Sequence, residues 1–250
     1  MSKPPGAMRL DRMLANLGYG SRREVKGMVW AGRVVLDGIA LDDAEQRIAV
    51  TPDLTARMIV DGAPLDPPQG LVMLLNKPLG VTCSHKEAGP VVYSLLPTRW
   101  RGRDPAISSI GRLDKETSGL LLMTDDGDLL HRVISPKAHI AKRYRATLAR
   151  PLRGDEAATF AAGTLMLEGE TKPLRPALLD PLDGTTVALT ITEGRYHQVR
   201  RMFAAVGNHV NKLHRERIGA LGLPDDLAPG AYRVLDTAAI DAVFAPPDRV

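Results

Sequence analysis

The amino-acid sequence predicts an α+β protein, with a small N-terminal domain followed by a domain built on a mixed, largely antiparallel sheet. The chain has 250 residues, 44% of them hydrophobic, which suits two modest domains. Composition changes at the proline-rich stretch 61–70, which predicts a short semi-rigid linker. The apparent strands after it do not alternate strictly with helices, which argues against a doubly wound parallel sheet.

The N-terminal segment predicts two short helices and a hairpin. Residues 10–17 carry apolar side chains at helical spacing, and Ser21 with Glu24 forms a capping-box pattern that opens a second helix. "RVVLDGIAL" then predicts a β-hairpin that turns at Asp37-Gly38. Because so few elements bury only a thin core, we expect an accessory domain.

This segment is basic. Six Lys or Arg residues against two acids lie between residues 9 and 33, and the whole chain has a net charge of +4 and a pI near 9.3. A basic surface favours a polyanionic partner, although an ordinary solvated helix surface is the alternative. The candidate RNA contacts are Arg9, Arg12, Arg22, Arg23 and Lys26.

"RLDRMLANLGYGSRREVKGMVWAGRVVLDG" resembles an S4 RNA-binding domain. The resemblance covers roughly residues 8–60, and with the linker it suggests a domain over residues 8–66. Such domains bind structured RNA through phosphate contacts, so the resemblance implies an RNA partner.

The second predicted domain covers residues 71–245. Its apparent strands are rich in Leu, Val and Thr: "LVMLLNKP", "GLLLMT", "RYRATL" and "TTVALTIT". "GDEAATFAAG" and "RYHQVRRMFAAVG" predict helices.

"GRLDKETSGLLLMTDDG", residues 111–127, sets a carboxylate beside a predicted buried strand. Gly111 and Gly119 predict sharp bends, so Asp114 is expected on a loop braced by a rigid strand, a common position for a catalytic group. The alternative is an aspartate that caps the turn at Thr117 or Ser118.

This stretch resembles the signature of the RsuA-type pseudouridine synthases, in which the aspartate of Arg-Leu-Asp is catalytic. The family isomerises uridine within RNA: the bond from N1 to the ribose breaks, the uracil turns over, and C5 bonds to the ribose. The resemblance therefore implies that Asp114 is the catalytic carboxylate. Whether it attacks the sugar, attacks the base or removes a sugar proton stays open.

The resemblance implies further roles. Arg112 matches an arginine that enters the RNA stack as the target base leaves, with a plain phosphate contact as the alternative. Tyr144, in "AKRYRATL", matches a tyrosine that lies against the flipped uracil, with a core tyrosine as the alternative. Lys77, in "LNKPLGVTCS", is expected to support the site or touch phosphate, and a structural role is equally open.

"EGRYHQVRRMFAAVGNHVNKLHRERIG" is a second strong match to the same family. Arg200 resembles the arginine that pairs with the catalytic aspartate, where it would lower the pKa of the carboxyl, although Arg201 could take that role. Leu213 matches an apolar wall of the uracil pocket, and Arg215 is expected to contact the RNA backbone.

Other classes of site and partner are not expected. A single cysteine, Cys83, allows neither an intrachain disulfide nor a cysteine-based metal cage, and His197 and His209 lack an accompanying cluster of metal ligands. We expect no metal and no cofactor. The N-terminus shows no signal peptide, and no apolar run approaches the ~20 residues that span a bilayer. We therefore expect a cytoplasmic monomer.

The predicted partner is ribosomal RNA. Within the family, the motifs most resemble those of members that act on small-subunit (16S) rRNA. Two alternatives remain: the same chemistry on large-subunit rRNA, and a non-catalytic rRNA-binding assembly factor.

Overall fold

The structure is a computed structural model that describes residues 6–84 and 89–246. These residues form two compact units. The N-terminal unit comprises residues 6–72 with segments 93–109 and 123–130, and the sheet unit comprises the remainder. The predicted boundary follows chain order, whereas the N-terminal unit also takes in two later segments. The undescribed residues are 1–5, 85–88 and 247–250. The first range falls in the N-terminal stretch for which no signal peptide is expected, and the second falls in the predicted second domain.

The first 64 residues contain the predicted helices and hairpin. The elements are β1 (Ala7–Arg9), α1 (Leu10–Asn16), α2 (Arg22–Trp30), β2 (Val34–Leu36), β3 (Ile39–Ala40), β4 (Arg47–Ala49), α3 (Leu54–Arg57), β5 (Met58–Val60) and β6 (Ala63–Pro64). Ser21 and Glu24 form the predicted capping box at the start of α2. Asp37 and Gly38 both adopt positive φ, 51° and 81°, as a tight two-residue hairpin turn requires.

The stretch predicted as a linker begins as a hairpin instead. Asp61 and Gly62 adopt positive φ and turn the chain back, so that β6 pairs with β5. The proline content suggested irregular structure, but Pro64 occupies an edge strand, where its missing N–H leaves no ladder hydrogen bond unmade.

The remaining elements follow in chain order. They are β7 (Val72–Lys77), the 3₁₀ segments Val92–Leu95 and Thr98–Gly102, β8 (Ser108–Ile110), β9 (Ser118–Thr124), α4 (Gly127–Ile134), β10 (Lys142–Leu148), α5 (Glu156–Ala161), β11 (Leu178–Asp183), β12 (Thr186–Ile191), α6 (Gln198–Ala205), β13 (Val210–Ile218), β14 (Leu221–Gly222), β15 (Tyr232–Val234) and α7 (Thr237–Phe244). Among the helices of the described residues, none has the length and apolar character needed to cross a membrane.

Nine strands of the described chain form one sheet, in the order β11-β12-β10-β13-β9-β7-β15, with β14 beside β13 and β8 beside β9. β10 runs antiparallel to both of its neighbours, whereas β13 and β9 run parallel. The predicted α+β class with a mixed, largely antiparallel sheet is therefore confirmed.

Gly119 allows β9 and β13 to approach closely. Its φ is +106°, and a Cβ added there would lie 2.3 Å from the carbonyl oxygen of Arg215. Only glycine fits such a position without strain. This approach fixes the strand that follows the Asp114 loop directly against the strand that carries Leu213 and Arg215.

Candidate active site

A cavity of about 420 Å³ opens in the sheet unit. Its floor is formed by side chains from β10 and β13: Lys142, Tyr144, Leu213 and Arg215. Tyr144 and Arg215 are cross-strand partners, and alternation along each strand turns the other two toward the same face. The cavity volume lies in the range of about 300–1,000 Å³ typical of small-ligand sites.

Asp114 lines this cavity, on the loop between β8 and β9. The backbone carbonyl of Asp114, and not its side chain, accepts the hydrogen bond of 3.0 Å from Thr117 N that closes the turn. The carboxylate is 36% exposed and is 3.4 Å from Nε2 of His197. The side chain of Asp114 therefore does not cap the turn. It lines the cavity instead.

Lys77 holds the Asp114 loop from below. It is fully buried, and its Nζ donates to the carbonyl oxygens of Thr117 at 2.8 Å and Pro78 at 3.0 Å. A buried ammonium cannot reach a phosphate on RNA, so the expectation of an RNA contact is corrected. These contacts are compatible with both remaining options, support of the site and a purely structural role.

Arg200 also contacts this loop, but not through the aspartate. Its guanidinium donates to the carbonyl oxygens of Glu116 and Val210, both at 2.8 Å. Within the described parts of the chain, the carboxylate of Asp114 lies next to His197 and forms no ion pair with Arg200, so the expected pairing of Arg200 with Asp114 is corrected. Arg201 does not take that role either, because it pairs with Glu170 at 3.0 Å.

His197 is a feature that the sequence reasoning missed. It precedes α6 with a left-handed backbone, φ +48°, and its ring stacks on Tyr196 at a centroid distance of 3.9 Å. This conformation turns the imidazole toward Asp114. The sequence does place His197 in the motif that resembles the family, three positions before Arg200.

Tyr144 and Leu213 are buried and line the cavity, and their expected contacts with a uracil stay predictions. Arg215 lies elsewhere than expected. It is 3% exposed and donates from Nε to the carbonyl oxygen of Leu120 at 2.8 Å and from Nη1 to the Tyr144 hydroxyl at 3.4 Å. Its guanidinium contacts the hydroxyl of Tyr144, which also lines the cavity. Because the side chain is buried, the expected contact with the RNA backbone is corrected.

Lys142 is a second residue that the sequence reasoning missed. It lines the cavity two positions before Tyr144, on the same face of β10. Burial, together with the nearby Arg215 guanidinium, lowers the pKa of Lys142 to about 8. Strict alternation from Tyr144 could have identified it.

Arg112 is exposed and lines the same cavity. Its predicted entry into an RNA stack stays a prediction, and its place at the opening is compatible with either of the roles considered. No group of three or more His, Cys, Asp or Glu side chains suited to a metal ion occurs within the described residues.

The basic residues of the N-terminal unit divide into two sets. Arg9 and Arg22 pair with the buried Asp11, and Lys26 pairs with Glu45. Burial raises the pKa of Asp11, but hydrogen bonds from the two arginines outweigh it and hold this pKa at about 2. Arg12 and Arg23 are exposed on α1 and α2.

Comparisons with known proteins show the family to which the chain belongs. The family model of RNA pseudouridylate synthase matches residues 71–205, and that of the S4 domain matches residues 8–51. A ribosomal small subunit pseudouridine synthase A of Yersinia pestis is 46% identical, covering 96% of this chain and 99% of the relative. The protein of that name from Escherichia coli K12 is 44% identical, covering 94% and 100%.

Two further matches extend the comparison. An uncharacterized RNA pseudouridine synthase of Bacillus subtilis is 42% identical over 91% of this chain and 95% of its own length. The crystal structure of a pseudouridylate synthase superposes with a TM-score of 0.66 at 37% identity, covering 94% of this chain and 99% of that one. The chain therefore belongs to the RNA pseudouridylate synthase family and carries an S4 domain at its N-terminus.

Proposed function

We propose that this protein isomerises a uridine of small-subunit ribosomal RNA to pseudouridine, with Asp114 as the catalytic carboxylate. The observation that carries the proposal is the partly exposed carboxylate of Asp114, which lines the same cavity as Tyr144 and Leu213. The names of the full-length relatives support the small subunit as the source of the substrate.

The cavity suits an extruded pyrimidine. The Tyr144 ring offers a stacking face and Leu213 an apolar wall, and Asp114 lines the same cavity from the loop between β8 and β9. Extrusion of a base costs a few kcal/mol, and the exposed guanidinium of Arg112 is suited to fill the vacated stack. Lys77 and Arg200 act as positioning residues, because they fix the backbone of the Asp114 loop through its carbonyl groups.

We assign RNA binding outside the cavity to the S4 domain, over residues 8–66, and the chemistry to residues 71–245. Arg12 and Arg23 are its foremost phosphate contacts, since both are exposed. Arg9, Arg22 and Lys26 contribute positive potential while paired with acids. The protein is proposed to act as a cytoplasmic monomer on rRNA or on an assembling small subunit.

A map of pseudouridines in both rRNAs, from a host lacking the gene, tests this function. The proposal expects the loss of one pseudouridine from small-subunit rRNA, with the large subunit unchanged. Loss from large-subunit rRNA alone would assign the same chemistry to the other subunit, and no loss from either would refute the proposed function.

A further inference from the structure

Two cationic side chains in the cavity floor lack a negatively charged partner. Lys142 and Arg215 both line it, and no ion pair in the described part of the chain joins either of them to a carboxylate. The two acids that line the cavity are engaged elsewhere, since Asp114 pairs with His197 and Glu193 with Arg195. A bound ligand is therefore expected to supply the hydrogen-bond acceptors for Lys142 and Arg215.

Arg215 also has an unused donor. Its Nη2 is buried and has no hydrogen-bond partner among the described residues. A buried donor left unpaired costs about 1–3 kcal/mol, which is tolerated at sites that a ligand completes. Lys142 is similar, because the hydrogen bond recorded for its Nζ, to the Ile140 carbonyl oxygen at 2.9 Å, uses one of three N–H groups.

Resting on the proposed function, we propose that Lys142 and Arg215 form a cationic floor that donates hydrogen bonds to the carbonyl oxygens of the extruded uracil and stabilises the negative charge that develops there. Lys142 is thus a further catalytic residue of the isomerisation. Preorganised cations inside a buried site stabilise developing charge far better than water does.

The electron balance requires such a partner. When the bond from N1 to C1′ breaks, its electron pair stays with N1 and spreads onto O2 and O4. Ring electrons then form the bond from C5 to C1′, C5 loses its proton, and N1 gains one. If Asp114 attacks C6 of the base first, the electron pair of the C5–C6 double bond spreads onto O4 alone. A cation that contacts O4 therefore serves each route left open for Asp114.

A phosphate of the RNA backbone is the other source of negative charge. We favour the base, because Arg215 is 3% exposed and Lys142 lies on the same face of β10 as Tyr144, whose ring offers a stacking face to a planar base. The two sources differ in what they change: a phosphate contact changes affinity and its salt dependence, whereas charge on the base changes rate.

The test measures RNA affinity and single-turnover rate for the full-length protein on a small-subunit rRNA fragment. Lys142→Met should lower the rate on the order of 10²-fold, as loss of one such donor does, and leave affinity within about twofold. Lys142→Arg should restore most of the rate. Lys212→Met, which removes an exposed lysine from the opposite face of β13, is the control for lost charge.

The pH profile separates a cation from a structural side chain. The ammonium is charged below its pKa of about 8, so the wild-type rate should fall as pH rises above that value, while Lys142→Arg keeps its rate. The other charged or titratable groups that line the cavity are common to both proteins: Arg112, Asp114, His139, Tyr144, Glu193, Arg195, His197 and Arg215.

Three results would overturn the proposal. The first is a Lys142→Met protein with wild-type rate. The second is reduced affinity and salt slope with a normal rate once bound, which would indicate a phosphate contact. The third is a Lys142→Arg protein whose rate falls above about pH 8 in the same way as that of the wild type. If the Lys142→Met protein does not fold, this comparison of pH profiles decides alone. No conversion by the wild-type protein would instead refute the proposed function, and the proposal with it.

Discussion

The carboxylate of Asp114 is positioned by its neighbours' backbone contacts and by one imidazole. Lys77 and Arg200 hold the loop through carbonyl groups, and His197 contacts the carboxylate itself at 3.4 Å. At the scale of single residues, the group proposed to react is therefore distinct from the groups that position it.

Replacement of His197 tests that separation. Without the imidazole, the carboxylate loses the contact that selects its rotamer, so His197→Ala should lower the single-turnover rate roughly 10-fold and leave RNA affinity nearly unchanged. His197→Gln keeps an amide nitrogen near the position of Nε2, so it should recover much of the rate. The same left-handed backbone strains both variants, which makes them a matched pair; equal rates would contradict the positioning role.

The chemistry of the site could be predicted further from sequence than its contacts could. Asp114, Tyr144 and Leu213 occur in local motifs, and they do line one cavity. The partner of Arg200 depends on a loop 84 residues away, and which atom of that loop meets the guanidinium is decided by side-chain packing. The same reason explains the burial of Arg215, whose exposure depends on the register of β13 with β10.

At the scale of elements, the contact between β9 and β13 is the one on which the site depends. Gly119→Ala places a Cβ against the backbone of Arg215, at a φ that alanine rarely adopts. The substitution should therefore lower the free energy of unfolding by about 1–3 kcal/mol or more. Urea denaturation measures this. Gly127→Ala is the control, since nothing lies within 4 Å of its added Cβ.

A Gly119→Ala protein as stable as the control would mean that the two strands can separate without cost. Four of the seven helices of the described residues (α1, α2, α5 and α6), the first hairpin and the strands β7, β9, β10 and β12 were predicted, because each depends on a local signal such as the Ser21 capping box. The sheet order was not, because the parallel pairing of β9 with β13 joins residues nearly 100 positions apart. No local pattern encodes that pairing.

At the scale of the whole molecule, RNA binding is assigned to charges distant in sequence from Asp114. Within the N-terminal unit, Arg99 stacks over Tyr19 and pairs with Asp66, so deletion of residues 1–66 would disrupt packing as well as remove charge. Substitution of exposed arginines is the cleaner experiment.

The Arg12→Gln/Arg23→Gln double variant should bind rRNA more weakly, with a salt slope smaller by roughly 1.4–1.8, because each phosphate contact contributes about 0.7–0.9. The rate for bound RNA should stay close to that of wild type. Arg57→Gln, which removes an exposed charge of the same unit, is the control. An unchanged slope in the double variant would contradict the assignment of phosphate contacts to α1 and α2.

The central claim is that one carboxylate carries the isomerisation of a small-subunit rRNA uridine. The most direct measurement returns the wild-type gene or an Asp114→Asn version to the deletion strain and maps pseudouridines in both rRNAs. The account predicts that the wild-type gene restores the missing small-subunit pseudouridine and that the variant, although expressed and bound to rRNA, does not. A pseudouridine restored by Asp114→Asn would contradict it.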